Sequence, residues 1–255
     1  GKDPYFQHYF RINLDGSGLT RLTTAEANHR VEFSSDMKFM LDHYSRVDLA
    51  SVLELHLLES DGLSHRSPVA IEKGDINALV KTGWKAPDVF VAKGRDGVTD
   101  IWGLVWKPTT FDPSKKYPVI EYIYAGPHGY FVPKSFGAHP ALVDRGFIVV
   151  QIDGMGTTGR GKKFHDVAWR NVADAGFPDR IAWIRAAAAR HPEMNLERVG
   201  VFGGSAGGQN ALAALLHHGD MIGKSANQRQ IMRDQEDRHA MAFTQLIQQF
   251  QHLGA

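Results

Sequence analysis

Along the first 65 or so residues, short runs of apolar side chains alternate with polar ones. Phe10, Ile12 and Leu14 alternate and then meet Asp15-Gly16-Ser17-Gly18. Phe39 and Leu41 follow Ser34-Ser35-Asp36, and Leu53, Leu55 and Leu57 precede Asp61-Gly62. A period of two interrupted by Gly, Asp and Ser predicts half-buried strands joined as hairpins. Strands at this spacing suit a sandwich or the blades of a propeller. A blade takes about 40–50 residues and a ring needs several, so this stretch is expected to be the end of a larger domain.

Residues 66–88 form a connector, and beyond it the pattern changes. Val89-Phe90-Val91-Ala92 and Ile101 to Trp106 flank Arg95-Asp96-Gly97 as an antiparallel pair. Tyr117 to Tyr124 and Phe147 to Ile152 are almost continuously apolar, the mark of strands covered on both faces. A helix is expected over Asp179 to His191, with Ile181, Ile184 and Ala188 on one stripe. Val199 to Phe202 is the next buried strand, and an Ala- and Leu-rich helix follows from Gln209 to His218. Strands alternating with helices predict an α/β fold with a parallel-rich sheet. In the tail, Phe243, Leu246, Ile247, Phe250 and Leu253 fall at helical spacing, which predicts one amphipathic helix from about Asn227 to Leu253. The expected organisation is therefore 1–75, 76–220 and 221–255.

The candidate chemistry lies where the last buried strand meets its helix. Gly203-Gly204-Ser205-Ala206-Gly207 is a G-x-S-x-G run between a β-branched strand and a helix, the context in which this motif forms a nucleophile elbow. The turn forces two backbones together, so Gly203 and Gly207 stand where a Cβ would collide. Ser205 is then lifted clear of the sheet, and the helix N-terminus behind it favours negative charge on a reacting oxygen. The backbone N–H of Ala206 is one donor to that oxygen. A glycine-rich turn with an N-capping serine is the plainer alternative.

Three segments together carry a resemblance: Tyr124-Ala125-Gly126-Pro127 after one buried strand, Gln151 to Gly156 after the next, and Gly203 to Gly208. They resemble the prolyl oligopeptidase family of serine peptidases, in its dipeptidyl peptidase IV branch, over roughly residues 1–220. The resemblance implies an α/β-hydrolase core preceded by antiparallel hairpins from the end of a β-propeller. It implies a peptide substrate, cleavage of dipeptides from N-termini after Pro or Ala, no cofactor, no metal and a homodimer. By the same likeness Ser205 is the acyl-forming nucleophile, and the hydroxyl of Tyr124 is the second oxyanion donor beside the Ala206 N–H. Asp153 is expected to brace its loop, and Arg160 to pair with a carboxylate.

The chain departs from that family after His217-His218-Gly219-Asp220. The family places its catalytic Asp and His beyond further strand–helix units, and no such strands are recognisable in the 50 residues after Ser205. Asp234, Asp237, His239 and His252 are the late candidates, each expected to be a solvated helix residue. Without later strands, Val199 to Phe202 would be an exposed apolar edge. Two readings follow: a truncated or internally deleted peptidase, or a shortened relative that keeps the fold core without the reaction and serves as an interaction module. A carboxylic ester hydrolase is a separate alternative, against which the propeller-like N-terminus argues.

Composition narrows the partners. With 29 basic and 28 acidic residues, the chain shows no footprint for nucleic acid or an anionic membrane. No run approaches the roughly 18 apolar residues a bilayer span needs. The absence of cysteine excludes disulfides and thiolate metal sites. The first residues carry no signal-peptide pattern, and a secreted or periplasmic parent protein stays open.

Overall fold

The computed structural model describes residues 3–59, 62–63, 67–174, 176–217, 229–233 and 239–244, with 62–63, 215–217 and the last two stretches described by backbone alone. Two compact units emerge: Gly1–Ala86 with Pro133–Ala138, and Pro87–Val132 with His139–Ala255.

The first unit is built of hairpins. A ribbon of β1 (Phe10–Arg11) and β2 (Thr20–Arg21) precedes β3 (Asn28–Phe33), β4 (Phe39–Arg46) and β5 (Leu49–Glu59), which form an antiparallel meander. The short β6 (Gly62–Leu63) and β7 (Val69–Lys73) both pair with β5, and a single-turn α1 (Asn77–Lys81) follows. The alternation predicts these strands, but the buried face differs from the one expected. In β4, Met40 and Asp42 are buried, Phe39 is exposed and Leu41 is half-buried. Asp42 tolerates the interior because its carboxylate meets His29 Nδ1 at 2.9 Å, and His29 Nε2 lies 2.8 Å from the Ala25 carbonyl. Residues Pro133–Ala138 belong to this unit through the buried Lys134–Asp3 pair and the Asn28–Ser135 hydrogen bond.

The second unit is a mixed sheet. Its strands are β8 (Asp88–Lys93), β9 (Asp100–Trp106), β10 (Tyr117–Tyr122), β11 (Ile148–Asp153) and β12 (Met194–Gly204), with β13 (Arg229–Arg233) and β14 (His239–Thr244) from the tail. The order is β13-β14-β12-β10-β11-β9-β8. Only the central trio is parallel, β10 pairing with β11 and β12, while the flanking strands are antiparallel. Between β11 and β12 lie the short α2 (Lys162–His165) and α3 (Phe177–Arg190); α4 (Ala206–His217) follows β12 at once.

Two expectations about the tail are corrected. Over its described residues the amphipathic helix is absent: Arg229–Arg233 and His239–Thr244 are strands. Ile231, Met232, Met241, Ala242 and Phe243 fall within those runs, a short apolar pattern that suits a strand as well as a helix. The edge of β12 is also occupied, since β14 pairs antiparallel along Val201 to Gly204. Backbone hydrogen bonds that a bare edge would leave unmade are thereby supplied.

The core lies between the sheet and its helices. Ile101, Val119, Ile123, Ile148, Val150, Val199 and Val201 pack with Phe177, Trp183, Ile184 and Ala187 of α3 and with Ala211 and Ala214 of α4. The α3 seam centres on Trp183 and Ala187, with Ile181 and Ala188 at its half-buried margin. Fully burying a Val, Ile or Phe side chain stabilises the fold by about 1.5–3 kcal/mol. Trp183 sits so close to β9 that a Cβ on Gly103 would lie 2.6 Å from its ring, and its indole N–H donates to the Phe90 carbonyl at 3.2 Å. Beneath the sheet, Arg180 of α3 donates to Glu121 of β10 at 2.5 Å, both side chains fully buried. Burial pushes the Glu121 carboxyl up, against the opposing pull of Arg180.

Candidate active site

The site forms where three central elements end together. The parallel register sets Tyr122 beside Phe202, and the Ile123 N–H donates to the Phe202 carbonyl at 2.8 Å. Tyr124 follows β10 and Ser205 follows β12, so the sheet delivers both candidates to one end.

Ser205 has φ +54°, in the left-handed region that a residue with a Cβ adopts only under constraint. The constraint is visible on either side. A Cβ on Gly203 would lie 2.5 Å from the Ile123 carbonyl oxygen and 2.6 Å from Gly207, and one on Gly207 would collide with the same Ile123 oxygen. Strand and helix can be this close only if both residues are glycine. Within that turn the side chain of Ser205 is exposed and Ala206 is half-buried. The Ser205 carbonyl accepts the N–H groups of Gly208 at 3.0 Å and Gln209 at 3.3 Å, which starts α4. Among the residues whose side chains are described, no histidine or carboxylate is hydrogen-bonded to the Ser205 hydroxyl. The first turn of α4 has no acidic residue to offset the positive end of its dipole.

Tyr124 faces this turn. Its Cδ2 lies 3.3 Å from where a Gly207 Cβ would stand. The ring packs on Phe131 (centroids 4.4 Å apart) and meets His128 edge-on at 5.9 Å. Two buried side chains fix the loop that carries it. Asn210 Oδ1, on α4, accepts the Ala125 N–H at 3.0 Å. Asp153, fully buried at the end of β11, accepts the N–H groups of Phe131 at 3.1 Å and Val132 at 3.1 Å. Asp153 is thus a loop brace. Arg160 donates to the Asp100 carbonyl at 2.9 Å and lies over the Phe164 ring.

A second tight joint lies at the start of α3. Gly154 and Gly176 approach until a Cβ on either would be 2.9 Å from the other's Cα. Asp179, fully buried in the first turn of α3, accepts the backbone N–H groups of Arg95 (2.8 Å) and Met155 (2.9 Å) and the Arg95 guanidinium at 2.9 Å. Arg95 also pairs with Asp174 at 2.6 Å. This network and the Asn210 contact were not read from the sequence. For Asn210 the one signal is a polar residue inside an Ala- and Leu-rich helix.

Of the late acid and base candidates, Asp234, Asp237 and His252 lie outside the described residues. His239 begins β14 and stands in register opposite Gly204, beside the elbow and not on a helix. Among the described residues, no group of three His, Asp or Glu side chains is placed to hold a metal ion, and no helix is long and apolar enough to cross a membrane.

Comparison with known proteins points in one direction. The prolyl oligopeptidase family pattern matches residues 134–232, and that of the dipeptidyl peptidase IV N-terminal region matches residues 1–51. Over those segments the chain carries the sequence pattern of the prolyl oligopeptidase family and of the dipeptidyl peptidase IV N-terminal region. It is 27% identical over 230 residues to dipeptidyl peptidase 8 of Homo sapiens, covering 86% of this chain and 25% of that protein. It is 28% identical over 227 residues to the probable dipeptidyl-aminopeptidase B of Ajellomyces dermatitidis, covering 86% of this chain and 24% of the relative. The chain thus spans about a quarter of the length of the curated relatives it matches. The crystal structure of Porphyromonas gingivalis dipeptidyl peptidase 4 superposes with a TM-score of 0.70 at 22% identity, covering 86% of this chain and 31% of that one. The fold is therefore an α/β-hydrolase core with hairpins from a propeller-type domain before it.

Proposed function

We propose that this chain carries the nucleophile of a serine peptidase that releases dipeptides from peptide N-termini, with cleavage after Pro or Ala. The observation that carries the reading is Ser205, exposed at φ +54° between two glycines that admit no side chain, at the head of a helix without an acidic first turn. In this reading the Ser205 hydroxyl attacks the scissile carbonyl and gives its proton to a histidine. The Ala206 N–H and the Tyr124 hydroxyl hold the oxyanion, and collapse expels the amine, which takes the proton back. Water then releases the acyl group by the same route. Each oxyanion donor contributes about 100- to 1,000-fold in turnover. Among the late histidines, the position of His239 across from Gly204 makes it the base to test first. The names of the relatives support dipeptide release.

Turnover of an Xaa-Pro p-nitroanilide beside a simple p-nitrophenyl ester tests this. Cleavage of the dipeptide anilide, lost in Ser205→Ala and His239→Gln, is the expected result. Ester cleavage alone would make the chain an ester hydrolase. A folded chain inert to both would make it an interaction module. The pairing of β14 along β12 weighs against that last reading, because the edge it requires is already taken.

A further inference from the structure

We infer that Asn210 is a positioning residue that ties the Tyr124 loop to the helix carrying Ser205. The inference rests on the peptidase reading above. That chemistry needs two donors on one oxygen, and they belong to different elements. The Ala206 N–H is fixed by α4, whereas the Tyr124 hydroxyl hangs from the loop beyond β10. The sheet aligns the two parent strands only as far as the Ile123 N–H on the Phe202 carbonyl. The next N–H but one, that of Ala125, finds its acceptor in the side chain of Asn210 at 3.0 Å, in a buried setting. This bond joins the residue after Tyr124 directly to α4.

The residue type argues for this role. Apart from the exposed Gln209 and the terminal His217, α4 is built of Ala, Leu and Gly, and Asn is a weaker helix former than any Ala or Leu that could stand at 210. Asn210 is only 8% exposed, and burying an amide is unfavourable unless it is hydrogen-bonded. An aliphatic side chain would avoid that penalty, but it would leave the Ala125 N–H buried without an acceptor. Tyr124 itself is held on the other side by Phe131, whose own N–H is fixed by Asp153. The loop is therefore pinned at both ends, and Asn210 is the pin that references it to the nucleophile. Donors that stabilise a developing charge act only when held within about 0.5 Å of their place, so a loosened loop costs rate and not fold.

Three variants of the full chain test the tether: Asn210→Leu, which keeps the volume and removes the acceptor; Asn210→Asp, which keeps an acceptor oxygen; and Tyr124→Phe. Asn210→Leu is expected to speed hydrogen exchange at the Ala125 amide about tenfold or more, and Asn210→Asp to leave it protected. With a fluorophosphonate probe at varied concentration, Asn210→Leu is expected to lower the maximal rate of Ser205 modification about tenfold, with the half-saturating concentration unchanged. In the Tyr124→Phe background the same substitution should have no further effect. Unchanged Ala125 protection in Asn210→Leu overturns the inference, as does a rate loss that persists in full beside Tyr124→Phe. Should Asn210→Leu lose its native circular dichroism, Asn210→Ala is read by the same criteria. A wild-type chain that takes no probe sinks the peptidase reading, while exchange at Ala125 still decides the tether.

Discussion

The elbow and the start of α3 are made of the same parts. Each brings two glycines so close that a Cβ on one would strike the other, Gly203 against Gly207 and Gly154 against Gly176. Each has a buried side chain accepting a loop N–H, Asn210 for Ala125 and Asp179 for Arg95 and Met155. They differ in what is left over. At α3 the charges close on themselves, because Arg95 spends its guanidinium on Asp174 and Asp179. At the elbow the residue between the glycines is an exposed serine in the left-handed region, before a helix end with no acid. A tight glycine turn is therefore not a site by itself. On the peptidase reading, the site is the turn whose serine stays exposed.

That contrast predicts a division of labour, with stability vested in the buried charges of α3 and reactivity in the elbow. The largest effect on folding is expected from Glu121→Leu, which removes a buried carboxylate that Arg180 donates to and should cost about 3–5 kcal/mol in urea unfolding. A loss below about 1 kcal/mol would break the contrast from the stability side. Next, Tyr124→Phe should slow Ser205 acylation by about 100- to 1,000-fold, with stability changed by no more than about 1.5 kcal/mol. Equal rates would remove Tyr124 from the oxyanion site. Smaller again, Gly154→Ala and Gly203→Ala should each cost about 1–3 kcal/mol through overpacking, but only Gly203→Ala should also depress acylation of the folded fraction.

The smallest effect concerns pH. Burial pushes the Glu193 carboxyl up, but the hydrogen bond and charge of Lys107 outweigh it and leave the group below its ordinary value. A depressed folded pKa gives stability that is present above the unfolded value of about 4.3 and lost as pH falls through the folded one. Lys107→Met should therefore flatten the acid limb of the stability curve below about pH 4.3 while leaving the elbow reactive. An acid limb unchanged by the substitution would show that the pair contributes nothing.

Much of this was legible from residue order. Period-two alternation marks the hairpins of the first unit, and unbroken apolar runs mark β10 and β11, because covering a strand on both faces demands them. The elbow was legible because sterics dictate both its glycines and their spacing around Ser205. The inner face of β4 was not, since a buried Asp42 reads as polar until His29 is brought beside it from another strand. Asp179, Arg95 and Asn210 escaped for the same reason: their partners lie far along the chain, and only the assembled sheet places them together. The tail misled because Phe243 and its neighbours suit either period, and pairing with β12 decides the matter for β14.

Fluorophosphonate labelling of the purified chain, followed by peptide mapping, addresses the central claim most directly. The account predicts a single adduct on Ser205 that vanishes in Ser205→Ala. A folded chain that takes no label, or one whose adduct survives that substitution, would contradict it.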